Sequence, residues 1–332
     1  MKRVLVTGAT GGLGRNAVNA LLKRGLEVRA TGRNSTVGVK LRQQGAEFVE
    51  LDLTQATRAE LESLVDDCDT VWHCAALSSP WGSQSAFVRA NVYASRELAQ
   101  AAQNVNVQRF VHISTPALYF DFQHRYGVTE AFKPLQYVNH YAATKAKAEQ
   151  EVLKFVPKGL HVTILRPRAI FGEYDQVLLP RMLRLVDESQ GKLTLPRGGE
   201  TVLDFTYAAN VVHAMRLAST RPDLPPGEVF NITNGAPVSL KTVLEELIVK
   251  RMNMPLKIKS LPYPVLNAIA RVMEMSAKAT RQEPQLTRYS LGAVAFDMTL
   301  DISHAQGLLG YLPQIDMDQA ISRTAHWLKA AK

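Results

Sequence analysis

The sequence predicts an α/β fold built on a doubly wound parallel sheet, and two observations lead to this prediction. Short apolar strands alternate with amphipathic helical stretches through the first half of the chain. A glycine-rich segment, TGATGGLG at residues 7–14, lies between the first strand and the first helix. Strands that alternate with helices form right-handed βαβ units, whose parallel sheet is covered by helices on both faces.

The individual elements are predicted from the period of the apolar residues. Strands are predicted at residues 4–6, 26–31, 48–51, 70–73, 109–113 and 162–165. Helices are predicted near residues 14–24, 57–66, 84–103 and 140–155. In the first helix Leu13, Ala17 and Leu21 recur at helical spacing, and Gly25 marks its end.

The second half of the chain is less regular, because the alternation ends after Pro167. We expect residues 1–166 to form the sheet domain, and residues 204–233 to return to it. Residues 167–203 and 234–332 are expected to form a smaller mixed α/β lobe at the C-terminal side.

Composition narrows the classes of function. The chain has 332 residues, 46% hydrophobic and 21% charged, as expected of a globular protein. Its two cysteines, Cys68 and Cys74, are too few for a disulfide framework and lack metal-site spacing, so we expect free thiols, a cytoplasmic location and no metal. No stretch reaches the roughly 20 apolar residues of a membrane span. The net charge of +9 is scattered, which argues against nucleic acid and favours a phosphate-bearing small molecule.

The glycine-rich turn has the properties of a diphosphate site. Glycines let the backbone turn tightly and approach a ligand closely, while free N–H groups and the dipole of the following helix favour negative charge. Gly8, Gly11 and Gly14 give the spacing GxxGxxG, one residue longer at its start than the commoner dinucleotide fingerprint. Its position between a strand and an amphipathic helix predicts a Rossmann-type dinucleotide site.

A second motif, NHYAATKAKAEQ at residues 139–150, contains a candidate acid–base pair. Tyr141 and Lys145 are four residues apart on a predicted helix, so they share a face. An ammonium group beside a phenol favours the phenolate, so we expect Lys145 to lower the pKa of Tyr141 from its usual value of about 10. The spacing alone is also typical of a solvated helix face.

Together, TGATGGLG and YAATK resemble the extended branch of the short-chain dehydrogenase/reductase superfamily, over nearly the whole chain. Other matching segments are LDL at 51–53, HCAA at 73–76, Asn91, STPALY at 114–119, RPRAIFG at 166–172 and DFTYAANV at 204–211. The resemblance implies hydride transfer between a nicotinamide cofactor and a carbonyl or hydroxyl carbon.

The resemblance also implies roles for individual residues. Tyr141 is the general acid/base, and Thr115 hydrogen-bonds the developing oxyanion. Lys145 also holds the cofactor ribose, and Asn91 helps to pass protons to solvent. The implied cofactor-binding residues are Thr7, Gly8, Gly11, Gly12, Leu13, Gly14, Arg33, Asn34, Asp52, Leu53, Ala75, Ala76, Tyr141, Lys145, Pro167 and Ile170.

Within this branch, STP at 114–116, AATKA at 142–146 and EPQLTR at 283–288 look most like the 3β-hydroxysteroid dehydrogenase group. Bacterial reductases of 2-alkyl-3-oxoalkanoates look particularly close. We expect substrate contacts from Ser78, Trp81, Thr115, Tyr119 and His140. His140 departs from the family, which has a small residue or proline before the tyrosine.

The end of the second strand indicates which nicotinamide is bound. NAD-selective proteins carry an acidic residue there, which would repel a 2′-phosphate. This chain has Gly32 followed by Arg33, whose guanidinium fits a phosphate, so we expect NADP(H) rather than NAD(H), with Asn34 as a secondary contact.

An apolar helical stripe at residues 261–277 indicates the substrate class. Val265, Ile269 and Val272, with Leu266, Ala270 and Met273, are typical of a helix core, and in the resembling group this segment borders the substrate cleft. We therefore expect a lipid-like keto or hydroxy compound, a β-keto acid or a sterol-like ring. The same helix is a candidate for peripheral contact with an anionic membrane. The protein is also a candidate homodimer.

Two other functions share these motifs. A nucleotide-sugar epimerase has the same fold and Tyr/Lys pair. A cofactor-sensing protein would keep the fold and lose the chemistry. The dehydratases of this branch carry an acidic pair after the catalytic threonine, where this chain has Pro116 and Ala117, which argues against dehydration.

Overall fold

The computed structural model describes residues 1–280 and 282–330. Its strands are β1 (Arg3–Thr7), β2 (Glu27–Gly32), β3 (Glu47–Glu50), β4 (Thr70–His73), β5 (Arg109–Ile113), β6 (Arg125–Val128), β7 (Val162–Pro167), β8 (Ile170–Phe171), β9 (Lys192–Pro196), β10 (Val202–Leu203), β11 (Thr206–Tyr207), β12 (Val229–Ile232), β13 (Val238–Ser239), β14 (Lys257–Leu261) and β15 (Met298–Leu300).

The helices follow in the same chain order. They are α1 (Gly12–Leu22), α2 (Ser35–Gln43), α3 (Arg58–Val65), α4 (Gln84–Phe87), α5 (Ala94–Asn104), α6 (His140–Leu153), α7 (Leu178–Glu188), α8 (Ala208–Thr220), α9 (Leu240–Leu244), α10 (Tyr263–Thr280), α11 (Arg288–Ala293) and α12 (Met317–Ala330). A π-helical segment, Val88–Tyr93, joins α4 to α5.

Seven strands form a parallel sheet in the order β12-β7-β5-β4-β1-β2-β3. The order reverses at β1, so this is a Rossmann-type doubly wound α/β fold, as the sequence predicts. The strand Val229–Ile232 lies at one edge, where it pairs with β7. Helix α2 and the exact ends of the strands are additions that the sequence did not indicate.

Helices cover both faces of the sheet, because its strands carry apolar residues on both sides. On one face, the apolar residues of α1 and α8 pack in one cluster, which includes Leu21 and Met215. On the other face α3, α5 and α6 pack in a second cluster, which includes Leu64, Leu98 and Val152.

Most of the remaining elements form a third apolar cluster beyond the carboxyl edge of the sheet, whereas α10 and α11 pack in a small cluster of their own with Leu266, Ala270 and Leu291. The third cluster contains a four-stranded sheet in the order β13-β10-β15-β6 and the pair β14-β9. The third cluster and the seven-stranded sheet face each other across a cleft.

In the residues that the structure describes, no helix combines the length and the apolar character that crossing a bilayer requires.

Candidate active site

A cleft of about 1610 Å³ lies along the carboxyl ends of the parallel strands. In open α/β sheets this edge binds ligands where the strand order reverses. The predicted residues that line it are Gly8, Gly11, Gly12, Leu13, Gly14, Arg33, Asn34, Asp52, Leu53, Ala75, Ala76, Ser78, Thr115, Tyr141, Lys145, Pro167 and Ile170. The structure therefore brings together most of the residues that the sequence singled out.

The glycine-rich turn forms a tight backbone cradle between β1 and α1. Gly8 has a φ of 63°, and a Cβ there would lie 2.8 Å from the backbone nitrogen of Ala75. A Cβ on Gly14 would lie 2.2 Å from the carbonyl oxygen of Gly8. Gly11 precedes α1 without a side-chain cap, so the first amides of the helix face the cleft free of an internal acceptor. Such a turn accepts a diphosphate.

The end of β2 presents a cation and no acid to the cleft. A Cβ on Gly32 would lie 2.6 Å from Thr10 Oγ1, so a longer residue would need the Thr10 side chain to move. Arg33 is 74% exposed, and its nearest ion-pair partner is Asp52 at 3.9 Å. Asn34 caps α2 by accepting a hydrogen bond from the Val37 N–H (3.0 Å), so it also has a structural role.

Tyr141 and Thr115 both line the cleft and interact with each other. Asn139 caps α6 by accepting a hydrogen bond from the Ala142 N–H (2.8 Å), which fixes the first turn of the helix and with it Tyr141. Burial raises the pKa of the Tyr141 phenol above its usual value, and a hydrogen bond with the Thr115 hydroxyl opposes this only in part. The phenol is therefore protonated at neutral pH.

The structure corrects the expectation that Lys145 lowers the pKa of Tyr141. The Lys145 ammonium donates to the Ile113 carbonyl (2.6 Å) and lies 3.2 Å from His112 Nε2, and burial outweighs any other effect on the pKa of Tyr141. Its side chain is 1% exposed, and burial lowers its pKa to about 8. Burial, followed by repulsion from Lys145, also holds the pKa of His112 well below its usual value, so the ring stays neutral.

Thr7 and Asn91 are buried behind the cleft wall. Thr7 Oγ1 lies 2.8 Å from His73 Nδ1 and accepts a hydrogen bond from the Ala75 N–H (3.2 Å). Asn91 Nδ2 donates to Thr144 Oγ1 and to the Leu77 carbonyl, and its Oδ1 accepts from the Leu77 N–H. Both side chains thus hold the chain after β4 in position, rather than facing the cleft.

Three predicted substrate residues lie outside the cleft, which corrects those assignments. Trp81 is half-buried in a local turn closed by hydrogen bonds with Ser79. His140 is exposed at the start of α6 beside Phe87, with ring centroids 6.4 Å apart. Tyr119 has no exposed surface, because a 3₁₀ turn at Pro116–Tyr119 directs its ring into the core.

Tyr119 belongs to a buried polar network beside β7. Its hydroxyl donates to Asn231 Oδ1 (2.9 Å) and accepts from Arg166. Arg166 in turn forms a buried ion pair with Glu149, donating to both carboxylate oxygens. The network satisfies charges that would otherwise be costly in the core, which is a structural role.

Only one edge of helix α10 lines the cleft. This corrects the expectation that the whole apolar stripe of residues 261–277 borders the substrate. Leu266 and Met273 line the cleft. Val265, Ile269 and Val272 instead face outward and are 48%, 41% and 67% exposed. The apolar surface of this helix therefore continues from the cleft to the exterior.

Arg168 and Tyr289 line the cleft and were not among the predicted site residues. Arg168 comes directly after β7, at the edge of the sheet where ligands bind, and this position is the signal that could have found it. Tyr289 lies on α11, and no periodic pattern in the sequence connects it to the site.

Comparisons with known proteins agree with this geometry. Residues 4–233 match the model of the NAD dependent epimerase/dehydratase family. The chain is 45% identical to the protein YbjS of Escherichia coli strain K12, with 98% of each chain covered. It is 32% identical to a 4-hydroxy-2-methyl-3-oxo-4-farnesyl-3,4-dihydroquinoline-1-oxide ketoreductase of Stigmatella aurantiaca, over 96% of this chain and 94% of the relative.

Two further relatives are 29% identical. One is a 2-alkyl-3-oxoalkanoate reductase of Stenotrophomonas maltophilia, matched over 97% of this chain and 98% of the relative. The other is a decarboxylating sterol-4-alpha-carboxylate 3-dehydrogenase of Candida albicans, over 85% and 83%.

Among solved structures, the UDP-glucuronic acid 4-epimerase of Bacillus cereus in complex with NAD superposes with a TM-score of 0.78. The alignment covers 99% of this chain and 97% of that chain, at 22% identity. This likeness shows a shared fold.

Proposed function

Since the chain belongs to the NAD dependent epimerase/dehydratase family of extended short-chain dehydrogenases/reductases, we propose that it is an NADP(H)-dependent oxidoreductase that interconverts a ketone and a secondary alcohol. Its family and named relatives are dehydrogenases, reductases and epimerases acting on CH–OH groups. The substrate is apolar and lipid-like, a β-keto acid or a sterol-like compound. The single observation that carries the proposal is that Tyr141 and Thr115 line the same cleft as the glycine-rich turn.

The glycine cradle fits a nicotinamide dinucleotide, because its close backbone contacts exclude side chains and leave the helix amides free. Gly8, Gly11 and Gly14 would hold the diphosphate, and Asp52 the adenine side. The bound cofactor supplies or accepts the hydride at the substrate carbon. We assign cofactor binding to residues 1–166 together with 204–233, and substrate binding to residues 167–203 and 234–332.

The preference for NADP(H) is supported by the charge at the end of β2. An acidic residue at position 32 is absent, and the adjacent Arg33 is exposed, with only a 3.9 Å contact to Asp52. A guanidinium binds a phosphate through two parallel hydrogen bonds. Asn34 lines the same part of the cleft and would add a secondary contact.

During ketone reduction, Tyr141 donates its proton to the carbonyl oxygen as the carbon gains the hydride, so the carbonyl π bond breaks and an alcohol forms. Thr115 donates a hydrogen bond to the same oxygen as its negative charge develops. In oxidation Tyr141 accepts the proton. Lys145 lines the same cleft, where its ammonium would add positive charge to the site and hold the cofactor ribose.

The apolar lining supports a lipid-like substrate. Leu266, Met273, Leu286 and Val294 line the part of the cleft formed by the C-terminal segments. The names of the relatives point the same way, because they include a farnesyl group, an alkyl chain and a sterol. Each buried methylene is worth about 0.8 kcal/mol, so kcat/KM should rise roughly fourfold per methylene until the cleft is full.

The outward face of α10 supports peripheral contact with an anionic membrane. It exposes Val265, Ile269, Val272 and Met275, and Arg271 is exposed beside them. This combination is typical of interfacial helices. Sedimentation with anionic and neutral vesicles tests it; a concentration-dependent dimer that buries the same face, with no vesicle binding, would replace the membrane by a second copy.

The main experiment is a substrate panel. Purified protein is incubated with NADPH or NADH and with 2-alkyl-3-oxo acids of rising chain length, 3-keto steroids or UDP-sugars, and the absorbance of the reduced nicotinamide is followed. We expect consumption of NADPH with the oxo acids or steroids, and none with Tyr141→Phe. Conversion of a UDP-sugar without net change of cofactor would support an epimerase instead, and cofactor binding without any conversion would support a sensing protein.

A further inference from the structure

Arg168 stands at the carboxyl edge of the sheet, next to the predicted catalytic residues. It follows β7 directly, and β7 pairs with β5 in a register that sets Leu165 opposite Ile113, two residues before Thr115. Its N–H donates to the Ile232 carbonyl (3.2 Å), and its carbonyl accepts a hydrogen bond from Thr206 Oγ1 (2.6 Å). The backbone of Arg168 is thus fixed on both sides.

The residue after Arg168 is strained. Ala169 has a φ of 44°, a left-handed conformation that residues with a Cβ rarely adopt. Strained backbone persists where the surrounding structure enforces it, often at ligand sites. Arg168, Ala169 and Ile170 all line the cleft, so the strained turn keeps three consecutive residues along its wall.

The Arg168 guanidinium lacks a counterion. Its Nε is buried without a hydrogen-bond partner, and none of the carboxylates in the described part of the chain lies within ion-pair distance. Burial lowers the pKa of Arg168, while Tyr289 and Asp204 raise it only from a distance. Arg168 as a whole is half-buried, so part of its side chain is accessible from the cleft, and a charged group with an unsatisfied donor favours an anionic ligand there.

Three other charged side chains of the cleft lining have partners. Glu173 accepts hydrogen bonds from the Tyr207 hydroxyl, Asp175 from the amides at the start of α7, and Arg181 donates to the Gln285 carbonyl. Arg168 differs from these three because it lines the cleft and its side chain has no ion pair in the described part of the chain.

The position of Arg168 separates it from the diphosphate cradle. In the sheet, β5 and β4 lie between β7 and β1, which carries the glycine-rich turn. With strands about 4.8 Å apart, this separation is roughly 14 Å. Tyr289, in contrast, interacts electrostatically with both Tyr141 and Arg168, so these three side chains share one end of the cleft.

We propose that Arg168 is the anion-recognition residue of this cleft and selects substrates that carry a carboxylate near the reacting carbon. This inference rests on the proposed function for the identity of the reacting carbon. A guanidinium presents a fork of N–H donors that binds a carboxylate through charge-assisted hydrogen bonds. Bound there, the acid group would place the neighbouring carbon beside Thr115 and Tyr141, while the apolar chain follows the lining of the lobe.

Binding and turnover are measured separately to test this. The probes are 3-hydroxydecanoic acid and its methyl ester, which have the same chain and differ in charge. Calorimetric titration into the NADPH-loaded protein, in which the alcohol cannot be oxidised, gives both dissociation constants for the wild type, Arg168→Gln, Arg168→Lys and the control Arg184→Gln. Binding of NADP⁺ and oxidation of the alcohol by NADP⁺ are measured in separate assays. Arg184 is exposed on α7 outside the cleft, so this control removes the same charge elsewhere.

We expect the wild type and Arg184→Gln to bind the acid at least tenfold more tightly than the ester. Arg168→Gln should lose this preference, with unchanged ester and NADP⁺ affinities, and Arg168→Lys should keep part of it. Equal affinity of the wild type for acid and ester would overturn the inference, even if Arg168→Gln did not fold. Weakened NADP⁺ binding by Arg168→Gln would assign Arg168 to the cofactor instead. Acid-selective binding without oxidation of the alcohol would refute the proposed function and leave the anion site standing.

Discussion

Replacement of Lys145 by methionine tests the electrostatics of the site, because the two residues have similar shapes and differ in charge. The folded chain buries the ammonium and lowers its pKa from 10.5 to about 8. A drop of this size means that burial of the charged lysine lowers the free energy of unfolding by about 3 kcal/mol at pH 7. Between pH 8 and 10.5 the unfolded chain binds a proton that the folded chain has released, so the wild type becomes more stable as pH rises.

Lys145→Met removes this dependence on pH. The variant avoids the burial of charge but leaves the Ile113 carbonyl without the donor that lies at 2.6 Å in the wild type, which costs about 1–3 kcal/mol. The two effects nearly offset each other at pH 7, and the variant should lose stability relative to the wild type as pH rises. We expect a relative loss of about 2 kcal/mol between pH 7 and pH 9.5.

Urea denaturation of both proteins at pH 7, 8.5 and 9.5 measures the difference. Lys147→Met is the matched control, because Lys147 is 53% exposed on the same helix, with an ion pair to Glu151 at 3.1 Å. Its stability difference should be nearly independent of pH. If the difference between Lys145→Met and the wild type were also constant from pH 7 to pH 9.5, the buried ammonium with a lowered pKa would be refuted.

Three further predictions concern the chemistry and the cradle. Tyr141→Phe should lower kcat by 10²- to 10⁴-fold with NADP(H) affinity within twofold of the wild type, as measured by fluorescence titration and steady-state kinetics; near-normal turnover would exclude Tyr141 as the acid. Arg33→Ala should weaken NADPH binding at least tenfold and leave NADH binding unchanged, so a wild type that prefers NADH would contradict the assignment. Gly14→Ala places a Cβ 2.2 Å from the Gly8 carbonyl oxygen and should abolish cofactor binding and lower Tm, whereas Gly25→Ala, with open space at its Cβ but a φ of 71°, should lower Tm only.

The sequence predicts the sheet and the cradle well because both depend on local patterns. Apolar runs of four to six residues become parallel strands wherever helices cover both faces, and the glycine spacing depends on close backbone contacts along one turn. Gly8 and Gly14 show this directly, since a Cβ on either would meet backbone atoms. Such constraints act over a few residues and can be read from the order of residues alone.

The direction of a side chain after a strand depends on tertiary packing instead. Tyr119 follows Thr115 by four residues, yet a 3₁₀ turn and the partners Asn231 and Arg166 draw it into the core. Lys145 shares a helix face with Tyr141, but its ammonium donates a hydrogen bond to the carbonyl of Ile113. These partners are remote in sequence, so spacing on one helix cannot predict them.

The edge position of β12 has a consequence for how the chain folds during synthesis. This strand contains Asn231, whose side chain donates to the carbonyls of Val128 and Asp301 and accepts from the Tyr119 hydroxyl. Until residue 232 has left the ribosome, β7 has one unpaired edge. The segments that contain Tyr119, Val128 and Asp301 then also lack the Asn231 side chain, to which all three hydrogen-bond. An unpaired, apolar strand edge pairs readily with other chains.

A chain released before β12 would therefore aggregate rather than persist as a smaller cofactor-binding module. Asn231→Leu would reproduce part of this defect in the full-length protein, because three polar groups would lose their shared partner. The same geometry makes the cleft dependent on β12, so the binding site cannot form before residue 232 of the 332 has been synthesised.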